Sequence, residues 1–528
     1  MARSRWILLL VVAVAATFAR ALAGGYVYDD LQLVVANADL RGEHGAWAVV
    51  AAPLWGPGFP HWRPLTQVLL SLGHGIGGAA GIHALALLAH LAAVWLVFAL
   101  TEGLTGRKGA AFGAALLFGV HPAQVESVAW CAALNDVLWG SFALAALLRH
   151  AKTRARGEPG PAWGTVACFA LALAAKETAL VVPLLVGWFD VAGAGASPRA
   201  LGWRYARFLV VLVPWYVARV LVFGDAFAGF DRGPTLDPGD RSALGLAAEV
   251  CGRLVGVLAW PFAPHALRPV PMAATAPLFA VVAAVVAAAP LALLWRRARV
   301  PAFGVGVVVL VLSVHAANPR GLGEYPVADR YLYLAVAGAS LAAVPALVAT
   351  RFGTVSVTAV ILACAWTSAR AVQAWADQAT FVRTQLAAHD DARVRYMEGQ
   401  LALEAAPPDL DAAERALRRA DELAAARRLG GEEARQRLQA DIATGLAWCA
   451  FVREAAVPVP DFRAPAARFA AILRAHETVA PAHVGLAACL AELGDRAEAE
   501  RHLRRALELD PGNAAARHNL VRLRRLPR

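Results

Sequence analysis

The chain has 528 residues, 59% of them hydrophobic, and a mean hydropathy of +0.52. Soluble domains run at about 45–50% apolar, so this composition excludes a simple globular protein and requires lipid as the solvent for much of the chain. The net charge of +11 sits largely in Arg clusters between apolar runs, where positive charge sets membrane topology, and no nucleic-acid partner is expected.

The first element, Trp6 to Leu22, is an apolar run of about 17 residues behind Arg3 and Arg5, which holds the N-terminus in the cytoplasm and sends the chain outward. Small residues at Ala21-Leu22-Ala23 leave a signal-peptidase cut open, and cleavage would not change the sidedness of the later segments. Further spans are expected to begin near Ile82, Gly109, Asp136, Ala162, Ala179, Ala206, Ala276, Pro301, Tyr331 and Thr354, about eleven in all. The positive-inside rule then assigns Arg107-Lys108, Arg149 to Arg156, Arg199 to Arg207, Arg296 to Arg299 and Arg351 to the cytoplasm. These alternate correctly only if the run Ala243 to Phe262 does not cross. It carries Glu249 and Arg253 and ends in Trp260-Pro261-Phe262, which reads as an interfacial or re-entrant helix. Everything after Arg370 then lies outside.

With sidedness set, the polar residues in or beside spans gather on the outer face, where their cost makes a functional role the first reading. Tyr28-Asp29-Asp30 follows span one, and His61-Trp62-Arg63-Pro64 lies in the same outer loop. The outer turn between spans three and four runs from His121-Pro122 through Glu126 to Asn135-Asp136. Lys176-Glu177 comes next, with only three Lys in the chain, and Asp329-Arg330-Tyr331 opens a later span. Each has a structural explanation taken singly: solvated loop acids, a turn-stabilising ion pair, a helix-capping His-Pro. Their convergence on one face suits transfer of a group from a lipid-linked phosphate to a hydroxyl. The attacking hydroxyl needs a carboxylate to take its proton, a role for Asp29 or Asp30. The departing phosphate needs cations, which Arg63, Lys176 and Arg330 supply, with His121 as a hydrogen-bond donor. A transporter of anionic lipids would use the same residue types.

The six cysteines are scattered with no Cys-x-x-Cys pair, so neither a metal site nor a disulfide framework is expected. Residues 1–375 form the expected membrane domain and 376–528 a helical-repeat domain. Ala480 to Ala514 carries a tetratricopeptide pattern, with Leu486, Gly494-Asp495 at the turn, Ala499, Leu503, Ala506 and Pro511 in place. Weaker copies fall at Ala412 to Leu423, with Ala413 and Ala420 seven apart, and around Phe462 to Pro481, so about three units are expected to stack as an α-solenoid.

The ordered set Tyr28-Asp29-Asp30, Arg63-Pro64-Leu65, His121-Pro122 with Glu126, Lys176-Glu177 and Asp329-Arg330-Tyr331-Leu332-Tyr333-Leu334, followed by tetratricopeptide units, resembles the transmembrane and tetratricopeptide-repeat O-mannosyltransferases and their bacterial relatives. The resemblance implies an all-α, polytopic C-type glycosyltransferase bundle, a polyprenyl-phosphate sugar as co-substrate with no further cofactor, and inverting transfer in the exoplasmic loops. It also implies that the acidic pair is the catalytic motif, with Asp29 as general base, and that no metal takes part. Two positions depart from the family pattern: Gln124 stands where relatives often carry a second His, and Ala132-Ala133-Leu134-Asn135 lacks a charged residue before Asp136. The expected activity is transfer of mannose or another hexose to Ser or Thr of exported proteins, with the repeats presenting the acceptor. Heavy Arg and Ala usage with little Lys resembles a GC-rich bacterial genome, which would make the membrane an inner membrane and the outer side a periplasm. The competing expectations are a lipid-linked-sugar flippase, which calls for polar residues at the bilayer midplane, and an inactive anchor for a repeat scaffold.

Overall fold

The computed structural model describes residues 3–55, 61–158, 160–192, 202–225, 242–268, 276–317, 325–426, 432–510 and 512–525. Arg199 and Pro511, which entered the topology and repeat readings, lie outside the described residues. Among those described, the regular structure is helical throughout.

The chain separates into two compact units, the second running from Val382 to the C-terminus. The first unit extends through Phe381, whose ring packs at 5.1 Å on Trp375 and 5.7 Å on Tyr28.

The first unit contains α1 (Arg3–Phe18), α2 (Ala46–Ala51), α3 (Pro64–Thr105), α4 (Lys108–Val120), α5 (Val125–Ala129), α6 (Leu134–Ala155), α7 (Trp163–Ala175), α8 (Val182–Ala192), α9 (Leu209–Phe223), α10 (Ala243–Ala259), α11 (Ala276–Trp295), α12 (Arg299–Ala317), α13 (Tyr333–Leu347), α14 (Gly353–Ala371) and the start of α15 (Gln378–Ala388). Among the described residues, eight helical segments are long and apolar enough to cross a membrane. The expected runs near Gly109, Ala162 and Ala179 are helical too, but α4, α7 and α8 have 13, 13 and 11 residues. At 1.5 Å per residue the longest of these reaches about 20 Å, short of the roughly 30 Å hydrocarbon layer. The first two stop at the motifs. Pro122 has no N–H and forces His121 into an extended conformation (ψ 132°), and Lys176 is likewise extended (φ −160°, ψ 138°).

The irregular chain between α4 and α6 is covered by protein: every residue from 121 to 140 is buried. Burial within protein is one of the settings in which non-helical backbone is tolerated at membrane depth. The apolar window of α6 is 89% buried, whereas those of the segments containing α9 and α11 are 6% buried, so α6 is the centre of the bundle and α9 and α11 are its lipid-facing rim. Close crossings use small residues, as where a Cβ on Gly304 of α12 would meet the Gly338 carbonyl of α13 at 2.4 Å. α3 is two helices joined at Gly77-Gly78, where Gly78 takes φ +60°, and the fold-back brings Gly81 onto Gly73.

Basic termini meet at one end of the unit. Arg3 pairs with Glu102, Arg107 donates to the Pro345 carbonyl, Asp190 holds His150, Arg154 and Tyr205, and Arg207 donates to the Pro161 carbonyl. The acidic and basic motifs that follow α1, α4 and α7 and precede α3 and α13 meet at the other end.

The second unit is built from α16 (Ala392–Glu404), α17 (Leu410–Ala426), α18 (Glu432–Ala455), α19 (Arg463–Ala475), α20 (Ala480–Glu492), α21 (Arg496–Leu509) and α22 (Ala514–Arg525). Small residues stand where helices cross: Ala413, Ala420, Ala499 and Ala506 are each fully buried. Gly399 sits against Leu417 and Gly485 against Phe469, which places these side chains in the adjoining helix-pair cores. The resulting stack continues through Val484, Leu503 and Leu523, so each repeat covers the apolar face of its neighbour.

Candidate active site

The loop after α1 turns sharply into the site. Tyr28 has φ +55°, a left-handed conformation that costs a non-glycine residue energy and that clusters at functional sites. Its N–H donates to Gln378 Oε1 at 2.7 Å, and its ring lies 5.9 Å from Trp130 and 5.7 Å from Phe381. These contacts aim the next two residues differently. Asp30 is fully buried, with Oδ2 accepting the Val27 N–H at 3.1 Å and Oδ1 accepting the Ala132 N–H at 2.7 Å. Burial pushes its carboxyl up to about 8 against those hydrogen bonds. Asp30 therefore anchors the loop to the segment before α6, while Asp29 remains partly exposed.

Among the described residues, four cations at this end are each held by a carboxylate. Arg63 grips Glu177 with two hydrogen bonds of 2.9 and 2.5 Å, and His61 Nδ1 lies 3.3 Å from the same carboxylate. Burial alone would raise Glu177, but Arg63 and His61 outweigh it and hold the carboxyl well below its usual range. Lys176 Nζ reaches Asp136 Oδ1 at 2.5 Å. Burial lowers the Lys176 ammonium in spite of that partner. Arg330 bonds Glu126 through its guanidinium and through its backbone N–H, the latter at 3.1 Å. Arg268 bonds Asp329.

These pairs form one cluster through aromatic rings. The Arg330 guanidinium lies over Trp130 (5.3 Å) and Tyr331 (4.9 Å), Lys176 Nζ is 5.9 Å from the Tyr331 ring, and His315 stacks on Tyr331 at 4.3 Å. Trp130 thus touches Tyr28, beside Asp29, and Arg330. Several buried polar atoms around it have no hydrogen-bond partner among the described residues: Trp130 Nε1, Asn135 Oδ1, Asp136 Oδ2 and His315 Nε2. Such atoms are costly and require an explanation, and a polar ligand is one.

His121 departs from the expected donor role. Its Nδ1 accepts the Ala123 N–H at 3.2 Å and its Nε2 faces the Leu258 carbonyl at 3.3 Å, so it caps the chain after α4 and ties it to α10. Burial lowers it to about 4, which keeps the ring neutral in this position. Gln124, at the departing position, donates to the Tyr333 carbonyl at 3.3 Å. Sequence reasoning placed His61 beside Arg63 without giving it a role, and it missed Arg268, Trp130 and His315 as members of the cluster. A solitary Arg between apolar helices and a Trp before the α6 motif were the available signals.

Comparison with known proteins bears on the same regions. A tetratricopeptide-repeat family model matches residues 480–513, which covers α20 and α21. The protein O-mannosyl-transferase Tmtc1 of Drosophila melanogaster is 32% identical over 178 residues, 32% of this chain and 21% of that protein. The protein O-mannosyl-transferases TMTC1 and TMTC4 of Homo sapiens are 30% identical over 185 residues and 29% over 216 residues. Those matches take 31% and 35% of this chain and 21% and 29% of the human proteins. The matched stretches thus span less than a third of these relatives' lengths. The crystal structure of ArnT from Cupriavidus metallidurans bound to undecaprenyl phosphate aligns with 98% of this chain and 78% of that one, at 13% identity and a TM-score of 0.38. The chain, an all-helical protein with apolar helices of membrane-crossing length and a tetratricopeptide repeat at its C-terminal end, is similar to the transmembrane and tetratricopeptide-repeat O-mannosyltransferases.

Proposed function

We propose that the protein is a membrane glycosyltransferase that moves a hexose, mannose or another, from a polyprenyl-phosphate donor to the hydroxyl of Ser or Thr in an exported protein. The observation that carries this reading is the gathering, at one end of the bundle, of partly exposed Asp29, of buried Arg63 and Lys176 and half-buried Arg268 and Arg330, and of buried polar atoms that have no partner among the described residues. Asp29 takes the proton of the acceptor hydroxyl as its oxygen bonds to the anomeric carbon. The bond from that carbon to the phosphate oxygen breaks on the opposite face, which inverts the centre, and the electron pair leaves with the lipid phosphate. Arg63, Lys176, Arg268 and Arg330 hold the charge that grows there, in a site where low polarity strengthens each contact. Trp130 Nε1 and Asn135 Oδ1 are suited to sugar hydroxyls. No metal is invoked, since the cations of the chain supply the positive charge, and the proposed step needs no other cofactor.

The orientation belongs to the same proposal: N-terminus in the cytoplasm, site and repeat unit on the outer side of the membrane, and that membrane the inner membrane of a bacterium with a periplasm beyond. The collection of basic termini at the end opposite the site supports it. So does the composition of α10, which carries the Glu249–Arg253 ion pair in its middle.

The test is sugar transfer in membranes supplied with polyprenyl-phosphate mannose, comparing wild type with Asp29→Asn. The variant is expected to fold and to lose activity by about 10²-fold or more. Turnover near that of wild type would end the assignment of Asp29.

A further inference from the structure

Within the repeat unit, α20 and α21 enclose a second polar site that the transfer chemistry does not use. A cavity of about 330 Å³ is lined by His483, Arg501, His502, Arg504, Arg505 and Glu508. That volume is at the small end for ligand sites and suits one or two side chains rather than a lipid-linked sugar.

The two imidazoles have a fixed order of protons. His483 Nε2 lies 2.9 Å from the Glu477 carbonyl oxygen and must donate to it. A neutral His483 then offers only a lone pair at Nδ1, which lies 2.8 Å from His502 Nδ1. His502 is therefore the donor in that bond, and its Nε2 is the pair's nitrogen with no hydrogen-bond partner among the described residues. A single proton added there changes it from acceptor to donor and adds a positive charge beside three guanidinium groups.

The arginines are available. Arg501, Arg504 and Arg505 pair with Glu498, Glu500 and Glu508 along the same helix, with side chains 70%, 60% and 45% exposed. Exposed ion pairs of this kind contribute about 1 kcal/mol or less, so an incoming carboxylate can take over a guanidinium at little cost. The guanidinium fork matches a carboxylate in two parallel hydrogen bonds.

We propose that this pocket docks the carboxylate side chains of an acidic polypeptide segment, and that His502 takes up the proton completing its donor set. The site lies wholly within the repeat unit and does not depend on the transferase reading. The groups that face the histidine pair set the pH range. Burial lowers His502, His483 and Arg501 add to that, and Glu498 opposes it. Burial lowers His483, opposed by the Glu477 hydrogen bond and charge and aided by Arg505. On α22, Arg524 is held on Glu500 at 3.1 Å. Both rings are thus neutral at and above neutral pH, and docking should tighten as the pH falls.

The experiment uses full-length protein in detergent micelles with a fluorescein-labelled hexaglutamate peptide, its hexaglutamine counterpart, and inorganic phosphate as competitor, at about 0.15 M salt. Hexaglutamate is expected to bind, about fivefold or more tightly at pH near 6 than near 8, and hexaglutamine is not. Arg505→Gln should weaken binding about tenfold, and His502→Gln should remove the pH dependence. Arg468→Gln, which deletes the same charge from an exposed position on α19, should change affinity less than about twofold on the scale of a tenfold loss. Equal binding of the two peptides, equal losses from Arg505→Gln and Arg468→Gln, or displacement of hexaglutamate by an equimolar amount of phosphate would each overturn the docking site. Binding insensitive to pH would overturn the role of His502. Asp29→Asn should leave peptide binding unchanged, which separates failure of this site from failure of the transfer reaction.

Discussion

Lys176 Nζ lies 2.5 Å from Asp136 Oδ1, an ion pair with both side chains under a tenth exposed that locks the break after α7 onto the first turn of α6. The two charges are justified differently by stability and by function. Removing one partner leaves a buried charge alone, at a cost of about 3–5 kcal/mol, while replacing both by apolar groups of similar size is close to neutral. Lys176→Met is therefore expected to lower the thermal midpoint sharply, and Lys176→Met combined with Asp136→Leu to recover most of it. Neither variant should transfer sugar, because the cation is needed for the leaving phosphate. A double variant that regains both stability and transfer would reduce the pair to a packing element.

Asp29 and Asp30 are adjacent but separable. Asp30→Asn replaces a carboxyl whose two oxygens accept the Val27 and Ala132 N–H groups; the amide has one acceptor oxygen, so one buried N–H loses its partner at about 1–3 kcal/mol. Asp29→Asn, at a partly exposed position, should leave the thermal midpoint within a few degrees of wild type and remove transfer. Thermal unfolding and transfer measured on the same preparations should thus give opposite patterns. Equal destabilisation by both substitutions would return Asp29 to a structural role.

The Asp30 carboxyl also predicts a pH profile. Its folded value of about 8 lies above the ordinary 3.8, so between these limits the folded protein holds a proton that the unfolded chain has released. Stability then falls as pH rises through this window, with a slope of at most about 1.4 kcal/mol per pH unit, and levels off above the folded value. Thermal midpoints taken from pH 6 to 9 should fall more steeply for wild type than for Asp30→Asn. Parallel profiles would show that Asp30 is ionised in the folded state.

Most members of the candidate site are legible in the sequence, and the reason is local. Pro122 breaks a helix wherever it stands, and Asp, Lys and Arg beside apolar runs are too costly to be incidental. What the sequence could not express was partnership. Arg63 and Glu177 are 114 positions apart, Glu126 and Arg330 are 204 apart, and Arg268 meets Asp329 across 61. Nothing periodic links them. The same limit explains His121, whose capping role depends on the Leu258 carbonyl of α10 arriving beside it, and the short helices α4 and α7, whose apolar runs continue past the points where their backbones leave the helix. In the repeats, by contrast, Ala413, Ala420, Ala499 and Ala506 could be read directly, because the crossing that requires a small residue recurs at a fixed spacing.

That crossing makes a prediction confined to the second unit. Ala506 is fully buried between α20 and α21 in the cluster with Val484, Ala487 and Leu503. Ala506→Leu adds three carbons to a closed interface and should cost about 1–3 kcal/mol. In a stack stabilised by neighbours, the loss should appear as increased protease cleavage after residue 480, with the membrane unit intact. Cleavage spreading equally through residues 392–455 would instead mean that the repeats unfold as one block.

Topology carries the remaining weight, since Asp29 and the repeats share a side only if α10 does not cross. Its C-terminal end is at the site, with the Leu258 carbonyl facing His121, and its middle packs Gly252 against Phe279 near the start of α11. It also holds the Glu249–Arg253 ion pair, with Glu249 fully buried, a poor composition for a lipid-facing crossing. In a cysteine-free background, single cysteines at Trp260, exposed at the end of α10, and at Arg463 of the repeat unit are expected to react with a membrane-impermeant maleimide added from outside. A cysteine at Arg296, among the basic residues after α11, should react only after the membrane is opened. If Arg463 is labelled only from the cytoplasmic side, α10 or another helix crosses once more than proposed. The repeats would then face away from Asp29 and could not present an acceptor to it.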